Sequence, residues 1–365
     1  MSTAAALKII TVNLTVLLTG LIGIELVFGT WFQEAHALHQ FTKPRNVALV
    51  QPNPFPGDPT TIQYTRDEYG FRGLDTDIGN IDIITVGGST TDQRFLDDSK
   101  TFQSVLKAKF AADRKDVHIV NAGIDGQSTV GHISNFASWF DKIDGLRSRY
   151  ILYYVGINDV LRLSGNDSDV VTAQSPALTW QLYIREKSVF YQLYILAKQY
   201  LRPHPLIHAF TGDNIAVDQP LVDQPLIQDY SSPQVTASLE QLKNRIRELA
   251  SLTRKMNAMP IFVTQRSARW NRKHGRVMGI AKYDIGGENE FSALGPVNGV
   301  DIYNIENLIS QSIIKACQEV GGICLDLMQE IKFDLRENFY DPVHTTSSGA
   351  VVVGNYLYEH LKGRI

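Results

Sequence analysis

Cysteine is scarce in this chain, and its scarcity excludes two kinds of protein. The 365 residues contain two cysteines, Cys317 and Cys324. Two thiols cannot form the disulfide framework of a small secreted domain, and alone they cannot hold a structural zinc ion. Cys317 lies late in a predicted helix, and Cys324 begins a short predicted strand. Two interpretations stay open: a local disulfide in an oxidising compartment, or two small buried hydrophobic side chains.

The chain also lacks a strong charge of either sign. Its formal net charge is −3, and no basic block or acidic tail interrupts the sequence. A nucleic-acid partner is therefore not expected, and bulk charge does not select the substrate. Internal repeats and low-complexity tracts are absent as well. The length fits one catalytic domain with appendages.

One long apolar run is present, between Ile9 and Phe28. Its length is about the ~20 residues that a helix needs to cross the hydrocarbon core of a membrane. We therefore predict a signal anchor at residues 1–32, with the membrane as a partner of residues 9–29. The alternative is a signal peptide cleaved near Ala37, because residues 35–37 have the small-x-small form of a cleavage site. The run is longer than a usual signal peptide, which favours a retained anchor.

The charges that flank this run give only a weak bias in orientation, with Lys8 before it and Lys43 and Arg45 after it. Signal anchors commonly export a large C-terminal domain. We therefore expect the rest of the chain outside the cytoplasm, in the periplasm or at the cell surface.

Beyond the anchor, the sequence predicts an α/β fold. Residues 33–77 form a Pro-rich linker and lead-in, since five prolines between Pro44 and Pro59 oppose a regular helix. From residue 78 to 365, short runs rich in β-branched residues alternate with helical patterns. This alternation predicts a three-layer α/β/α sandwich with a mostly parallel, flavodoxin-like sheet.

Two stretches, at about residues 165–235 and 266–304, interrupt this alternation. We interpret both as insertions over the carboxyl edge of the sheet, where long loops often form lids or binding surfaces. The first carries a predicted amphipathic helix at about residues 178–201. In the second, five basic residues between Arg266 and Arg276 are interpreted as a solvated loop.

Four predicted loops at the carboxyl edge of the sheet carry the side chains of an acyl-transfer site. Ser89 follows two glycines after the first strand of the domain, and His344 follows Asp341 by three residues. A serine hydroxyl needs a base to take its proton, so His344 is the candidate base and Asp341 the residue that orients it. The backbone N–H groups of Ser89 and Gly126 and the carboxamide of Asn158 are candidate oxyanion donors.

These loops, in this order, resemble the SGNH (GDSL-like) hydrolase superfamily, which is named for a Ser, Gly, Asn and His from four sequence blocks. The resemblance covers residues 78–365. The chain departs from the family at Gly88, where the Gly-Asp-Ser block has an aspartate. Residues 70–72 (Gly-Phe-Arg) are also similar to the segment before the first block in some membrane-anchored bacterial members.

The resemblance implies hydrolysis of carboxylic esters through an acyl-enzyme. The expected substrates are O-acyl esters, such as acetyl esters, of a cell-envelope glycan or lipid. An O-acyltransferase that acylates a polysaccharide would use the same residues, so the acceptor stays open. A non-catalytic glycan-binding scaffold is a third hypothesis, which the intact serine, asparagine, aspartate and histidine disfavour. Neither a metal ion nor an organic cofactor is expected.

Overall fold

The chain divides into two units, Met1–Lys43 with Ala173–Ala209 and Pro44–Thr172 with Phe210–Ile365. The computed structural model describes residues 3–29, 31–32, 45–55, 60–73, 77–163, 219–282 and 296–365, and single residues or short runs between 184 and 197. The helix predicted at residues 178–201 therefore lies largely outside the described residues.

One long helix, α1 (Thr3–Phe28), dominates the first unit. Its stretch Leu7–Phe28 is long and apolar enough to cross a membrane, and its large apolar side chains are exposed. Each of three threonines in α1 donates its hydroxyl to the carbonyl four residues earlier, which satisfies these polar groups inside the helix. Near the end of α1, Glu25 accepts hydrogen bonds from Trp31 Nε1 at 3.1 Å and the backbone N–H of Val189 at 3.0 Å.

The second unit contains all the described strands, nine described α-helices and two short 3₁₀ helices. In chain order its strands are β1 (Val47–Pro52), β2 (Thr61–Arg66), β3 (Ile81–Gly87), β4 (Ile119–Gly123), β5 (Ser148–Val155), β6 (Leu221–Val222), β7 (Met259–Thr264), β8 (Trp270–Lys273), β9 (Arg276–Ile280) and β10 (Ile323–Leu325). Its α-helices are α2 (Ser89–Asp92), α3 (Phe102–Ala112), α4 (Thr129–Ser138), α5 (Ile157–Leu163), α6 (Pro233–Lys255), α7 (Gly299–Glu319), α8 (Leu327–Glu330), α9 (Leu335–Asn338) and α10 (Ser347–Leu361).

A five-stranded sheet with the order β10-β7-β5-β3-β4 forms the centre of this unit. Every neighbouring pair in it is parallel. The order is that of a flavodoxin-like sheet, as the sequence predicted. Because parallel strands point the same way, all five carboxyl ends meet at one edge.

Helices cover both faces of the sheet. Successive side chains along each strand point to opposite faces, so a strand of apolar residues has two faces that must be buried. In β5, Ile151 and Tyr153 face a core that also contains residues of α4, α6 and α7. Leu152 and Tyr154 face a second core with residues of α3 and α10. The three-layer α/β/α architecture is thus confirmed.

The segment predicted as a linker contains a β-hairpin. β1 and β2 pair antiparallel over their whole length, and the chain then runs beside the edge strand β4. The backbone N–H of Arg72 donates to the carbonyl of Asn121 at 2.8 Å. The prolines oppose a helix as expected, but Pro52 sits at the last position of β1, where a missing N–H is tolerated. Residues 60–73 are named the arginine segment below.

The second predicted insertion is more regular than its composition indicated. β8 and β9 form an antiparallel hairpin joined by β6, and α7 begins inside the predicted range. The solvated-loop interpretation is wrong for Arg266 and Arg269, which are both buried. The Arg266 guanidinium lies 3.7 Å from the centroid of the Trp270 ring and donates to the Trp270 carbonyl at 2.6 Å. Aromatic stacking and a backbone partner replace the water that we expected there.

The two cysteines form a disulfide. Cys317, near the end of α7, is bonded to Cys324 in β10, with their Cα atoms 5.9 Å apart. Of the two interpretations drawn from the sequence, the structure has the local disulfide. It lies towards the amino end of the sheet.

Candidate active site

The candidate nucleophile Ser89 begins α2, at the turn that follows β3. Close approaches explain the two glycines before it. A Cβ on Gly87 would collide with Thr91, and a Cβ on Gly88 would collide with the side-chain amide of Asn158 and lie 2.9 Å from the carbonyl oxygen of Gln127. The departure at Gly88 therefore has a local reason, since any larger residue would displace Asn158.

His344 and Asp341 lie on a loop between α9 and α10, the histidine loop (residues 341–345). Two features close this loop. Phe339 and Thr345 form an isolated antiparallel bridge across it, and Thr346 caps α10 directly after it. The loop is therefore held at both ends, so the two side chains keep a defined position.

Ser89, His344 and Asp341 form a continuous hydrogen-bonded chain. Ser89 Oγ lies 2.7 Å from His344 Nε2, and His344 Nδ1 lies 2.6 Å from Asp341 Oδ2. Because a carboxylate only accepts, Nδ1 carries the hydrogen and the lone pair of Nε2 faces the serine. The structure thus brings together the three residues predicted as nucleophile, base and orienting acid.

Several partners hold Asp341 in its charged form. Its Oδ1 accepts the backbone N–H groups of Val343 at 2.8 Å and His344 at 2.7 Å. Burial by itself raises the pKa of Asp341, but the hydrogen bond and charge of His344 and these two amides outweigh burial and lower the pKa below its ordinary value. An ionised Asp341 favours the cationic form of His344 that proton transfer from serine would create.

The ring of Tyr340 packs against the imidazole of His344, with centroids 5.6 Å apart and planes only 10° from parallel. Burial, with the nearby charge of Asp341, raises the pKa of Tyr340 well above its ordinary value. The tyrosine therefore stays neutral, and its flat face limits how far the imidazole can rotate.

The candidate oxyanion donors lie on three neighbouring elements, which are the start of α2, the loop after β4 and the start of α5. The oxyanion loop (residues 124–127) is fixed by a bond from Ile124 N–H to the Gly87 carbonyl at 3.0 Å. Asn158 Nδ2 donates one hydrogen to the Gln127 carbonyl at 2.8 Å. Gly126 has a φ of +74°, which favours glycine and sets the direction of its N–H. The turn before Ser89 contacts this group through Gly88, so all the predicted site residues are brought together.

Sequence reasoning missed Gln265, which links the starts of α2 and α5, the two helices that carry Ser89 and Asn158. This buried side chain accepts the backbone N–H of Ile157 at 2.9 Å and donates to Thr90 Oγ1 at 2.6 Å. It therefore connects the neighbour of Ser89 with the neighbour of Asn158. Its position directly after the carboxyl end of β7 is the signal that could have identified it.

The buried Asp159, next to Asn158, also holds these elements together. Its Oδ1 accepts the hydroxyl of Thr129 at 2.5 Å and lies 3.5 Å from the guanidinium of Arg245. The helix α5, which carries Asn158, is thereby bonded to α4 and α6. No cluster of three or more His, Cys, Asp or Glu side chains that could hold a metal ion occurs among the described residues.

Comparisons with known proteins give similar solved structures but no match to a family model or a curated sequence. Among solved structures, a psychrotrophic esterase from a Pseudoalteromonas species is similar, with 11% identity and a TM-score of 0.40, over 78% of this chain and 98% of the other.

Two further structures are similar over the same 78% of this chain. A catalytic mutant of an acetylxylan esterase from Geobacillus stearothermophilus has 10% identity and a TM-score of 0.42, with 96% of it covered. A member of the lipolytic G-D-S-L family from Veillonella parvula has 13% identity and a TM-score of 0.41, with 100% of it covered.

Proposed function

We propose that this protein is a serine ester hydrolase that works through an acyl-enzyme. The observation that carries the proposal is the hydrogen-bonded chain from Ser89 through His344 to Asp341. Ser89 is partly exposed, so an ester can reach its hydroxyl, whereas His344 is buried beside it. A geometry with nucleophile, base and orienting carboxylate in hydrogen-bond contact is the one that acyl transfer needs.

In the first half-reaction, Ser89 Oγ attacks the ester carbonyl while His344 Nε2 takes its proton. The carbonyl oxygen becomes an oxyanion, which the N–H groups of Ser89 and Gly126 and the amide of Asn158 stabilise. When the tetrahedral intermediate collapses, His344 returns the proton to the leaving alcohol oxygen. The products of this step are the free alcohol and an ester between the acyl group and Ser89.

In the second half-reaction, water attacks the acyl-enzyme, with His344 again as the base. The acid leaves, and Ser89 recovers its proton. A sugar hydroxyl in place of water would give an O-acyltransferase by the same steps. The hydrogen-bonded chain also argues against a non-catalytic scaffold, because binding alone does not need an activated serine.

The proposed substrates are O-acyl esters, such as acetyl esters, of a cell-envelope glycan or lipid.

The length and apolar character of α1 support a membrane anchor. The disulfide supports an oxidising compartment, since such bonds are rare in the cytosol. A reporter enzyme that folds only outside the cytoplasm, fused after Ile365, is expected to be active in a bacterial host. Activity of a cytoplasmic reporter at the same position would contradict this orientation.

The main experiment uses the full chain in detergent with an aryl acetate and with an aryl phosphonate that labels activated serines. Wild-type protein is expected to release aryl alcohol and to take up one label. Ser89→Ala is expected to lose both, while Ser99→Ala, at an exposed serine close by in sequence, keeps both. An added unacetylated glycan distinguishes water from a sugar hydroxyl as the acyl acceptor. Transfer of the acyl group to the glycan would identify an O-acyltransferase. Absence of both turnover and label in the wild type would overturn the enzymatic proposal.

A further inference from the structure

The arginine segment contains two buried guanidinium groups, which contact the carboxyl end of α2 and the end of β4. Arg66 ends β2, and Arg72, in the Gly-Phe-Arg stretch noted above, lies beside β4. We propose that Arg66 and Arg72 are positioning residues, which hold the nucleophile helix α2, the oxyanion loop and the histidine loop in their relative places. This inference rests on the ester hydrolysis proposed above.

Arg66 joins α2 to the start of the oxyanion loop. Its Nη2 donates to Asp92 Oδ1 at 2.7 Å and to the carbonyl of Gly123 at 2.6 Å. Its other nitrogens donate to Tyr64 Oη and the Gly70 carbonyl, both at 2.7 Å. The side chain is 1% exposed. One rigid group thus binds the last residue of α2 and the residue directly before the oxyanion loop.

Arg72 binds the backbone at the same, carboxyl end of α2. Its Nη1 donates to the carbonyls of Asp92 and Gln93, and its Nη2 donates to the carbonyl of Leu96. Its Nε donates to Asp98 Oδ1 at 2.9 Å. Carbonyls at the end of a short helix have no partners within it, so the guanidinium satisfies them and fixes the direction of α2.

Gln93 carries this positioning on to the histidine loop. Its backbone is in the left-handed region, with a φ of +50°, a conformation that needs support from its surroundings. Arg72 binds its carbonyl, and its side-chain amide donates to Thr345 Oγ1 at 3.1 Å. Thr345 directly follows His344. The two arginines are therefore connected to α2, to the oxyanion loop through Gly123 and to the histidine loop through Gln93.

The planar fork of the guanidinium is what this role requires. Arg66 makes four hydrogen bonds in fixed directions, whereas a lysine ammonium is a single point charge with three donors. Lysine at position 66 keeps a positive charge for Asp92 but cannot reproduce the contacts to Gly70 and Gly123 together. Displacements of about 1 Å at a catalytic site can cost roughly 10²-fold in rate.

The experiment compares Arg66→Lys and Arg72→Lys with a control variant, Phe110→Leu, in the full chain. Phe110 lies on α3, where it is buried and packs edge-on to Tyr358 of α10, away from α2, the oxyanion loop and the histidine loop. For each arginine variant we expect kcat for an aryl acetate to fall about 10- to 100-fold with KM within about twofold. We also expect at least about tenfold faster amide hydrogen exchange at residues 89–93 and 124–127.

Phe110→Leu is expected to lower the unfolding temperature without changing kcat or exchange in these loops. Combining Arg66→Lys with Asn158→Ala should cost less than the product of the single losses, because both act on the oxyanion. Unchanged loop exchange in both arginine variants, or an equal increase in Phe110→Leu, would overturn the positioning role. Exchange does not depend on turnover, so this result is distinguishable from a failure of the proposed hydrolysis.

Discussion

Two arginine–aspartate pairs lie at opposite ends of β3, and they differ sharply in their surroundings. At the amino end, Arg149 pairs with Asp82 at 2.9 Å, with the arginine side chain 62% exposed. Past the carboxyl end, Arg66 pairs with Asp92 at 2.7 Å, with both side chains almost completely buried. The two pairs have nearly the same separation, but only the second has lost its water.

This difference shows where the fold needs accurate positions. An exposed pair contributes little to stability, since water and salt compete for both charges. A buried pair carries a large desolvation cost and needs further hydrogen bonds to be tolerated. Such bonds are concentrated at the carboxyl end, where Ser89, Asn158 and His344 lie. At the amino end, exposed charges and the disulfide serve stability without this geometric demand.

The largest expected effect comes from Asp341→Asn at the carboxyl end. An asparagine can donate to His344 Nδ1 and so favour the wrong tautomer, and we expect kcat for an aryl acetate to fall about 10⁴-fold. Asp82→Asn at the amino end is the matched control and should stay within about twofold. A loss below tenfold in Asp341→Asn would mean that this carboxylate does not orient the base.

A smaller loss is expected when one oxyanion donor is removed. Asn158→Ala should lower kcat by about 10²- to 10³-fold with little change in KM, because the donor acts on charge that develops in the transition state. Asn80→Ala, in the loop before the amino end of β3, is the comparison variant and should leave kcat unchanged. Steady-state kinetics on the same ester measure both, and equal values for the two variants would contradict the assignment of Asn158.

Stability measurements test the two ion pairs directly. Arg66→Ala leaves Asp92 buried without its cation and should lower the free energy of unfolding by about 3–5 kcal/mol. Arg149→Ala should cost less than about 1 kcal/mol. Urea unfolding of both variants checks this, and a similar cost for the two would remove the contrast between the ends of β3.

The smallest effect concerns pH and the buried His132, which lies by the carboxyl end of β3. Burial lowers its pKa from 6.5 to about 3, although the nearby backbone of Gly87 opposes this shift. Below pH 6.5 His132 binds a proton in the unfolded chain but not in the folded protein. The free energy of unfolding therefore falls as pH falls towards 3.

This one group should account for about 2 kcal/mol of unfolding free energy between pH 7 and pH 5. His132→Gln cannot be protonated, so its stability should change less over this range by about that amount. Urea unfolding at the two pH values measures the difference. Equal pH dependence in the wild type and the variant would show that His132 is accessible to protons in the folded state.

The sequence predicted the sheet and the site because both leave local signals. Strands such as Ile81–Gly87 are short apolar runs that end in glycine, and parallel pairing then places their ends together. The spacing of Asp341 and His344 lets both belong to one short loop. Fold class and candidate catalytic residues follow from such patterns without knowledge of distant contacts.

The supporting residues leave no such signal. Arg66 bonds to the carbonyl of Gly123, 57 positions away, and Gln265 bonds to Ile157, 108 positions away. A buried arginine has the same sequence appearance as an exposed one, which also explains the error at Arg266 and Arg269. The hairpin of β1 and β2 was missed because prolines weakened the strand pattern around it.

The pairing of the arginine segment with β4 bears on how this protein can be dissected. A fragment that began at residue 78, where the family resemblance begins, would leave the edge of β4 unpaired and Asp92 buried without its cation. An open strand edge invites aggregation. The backbone N–H of Asn46 donates to the carbonyl of Asp67 at 2.9 Å, so hydrogen bonding to the arginine segment begins by residue 46. Expression designs for the second unit should therefore begin before residue 45, and fragments that begin later are expected to be insoluble even with every candidate catalytic residue present.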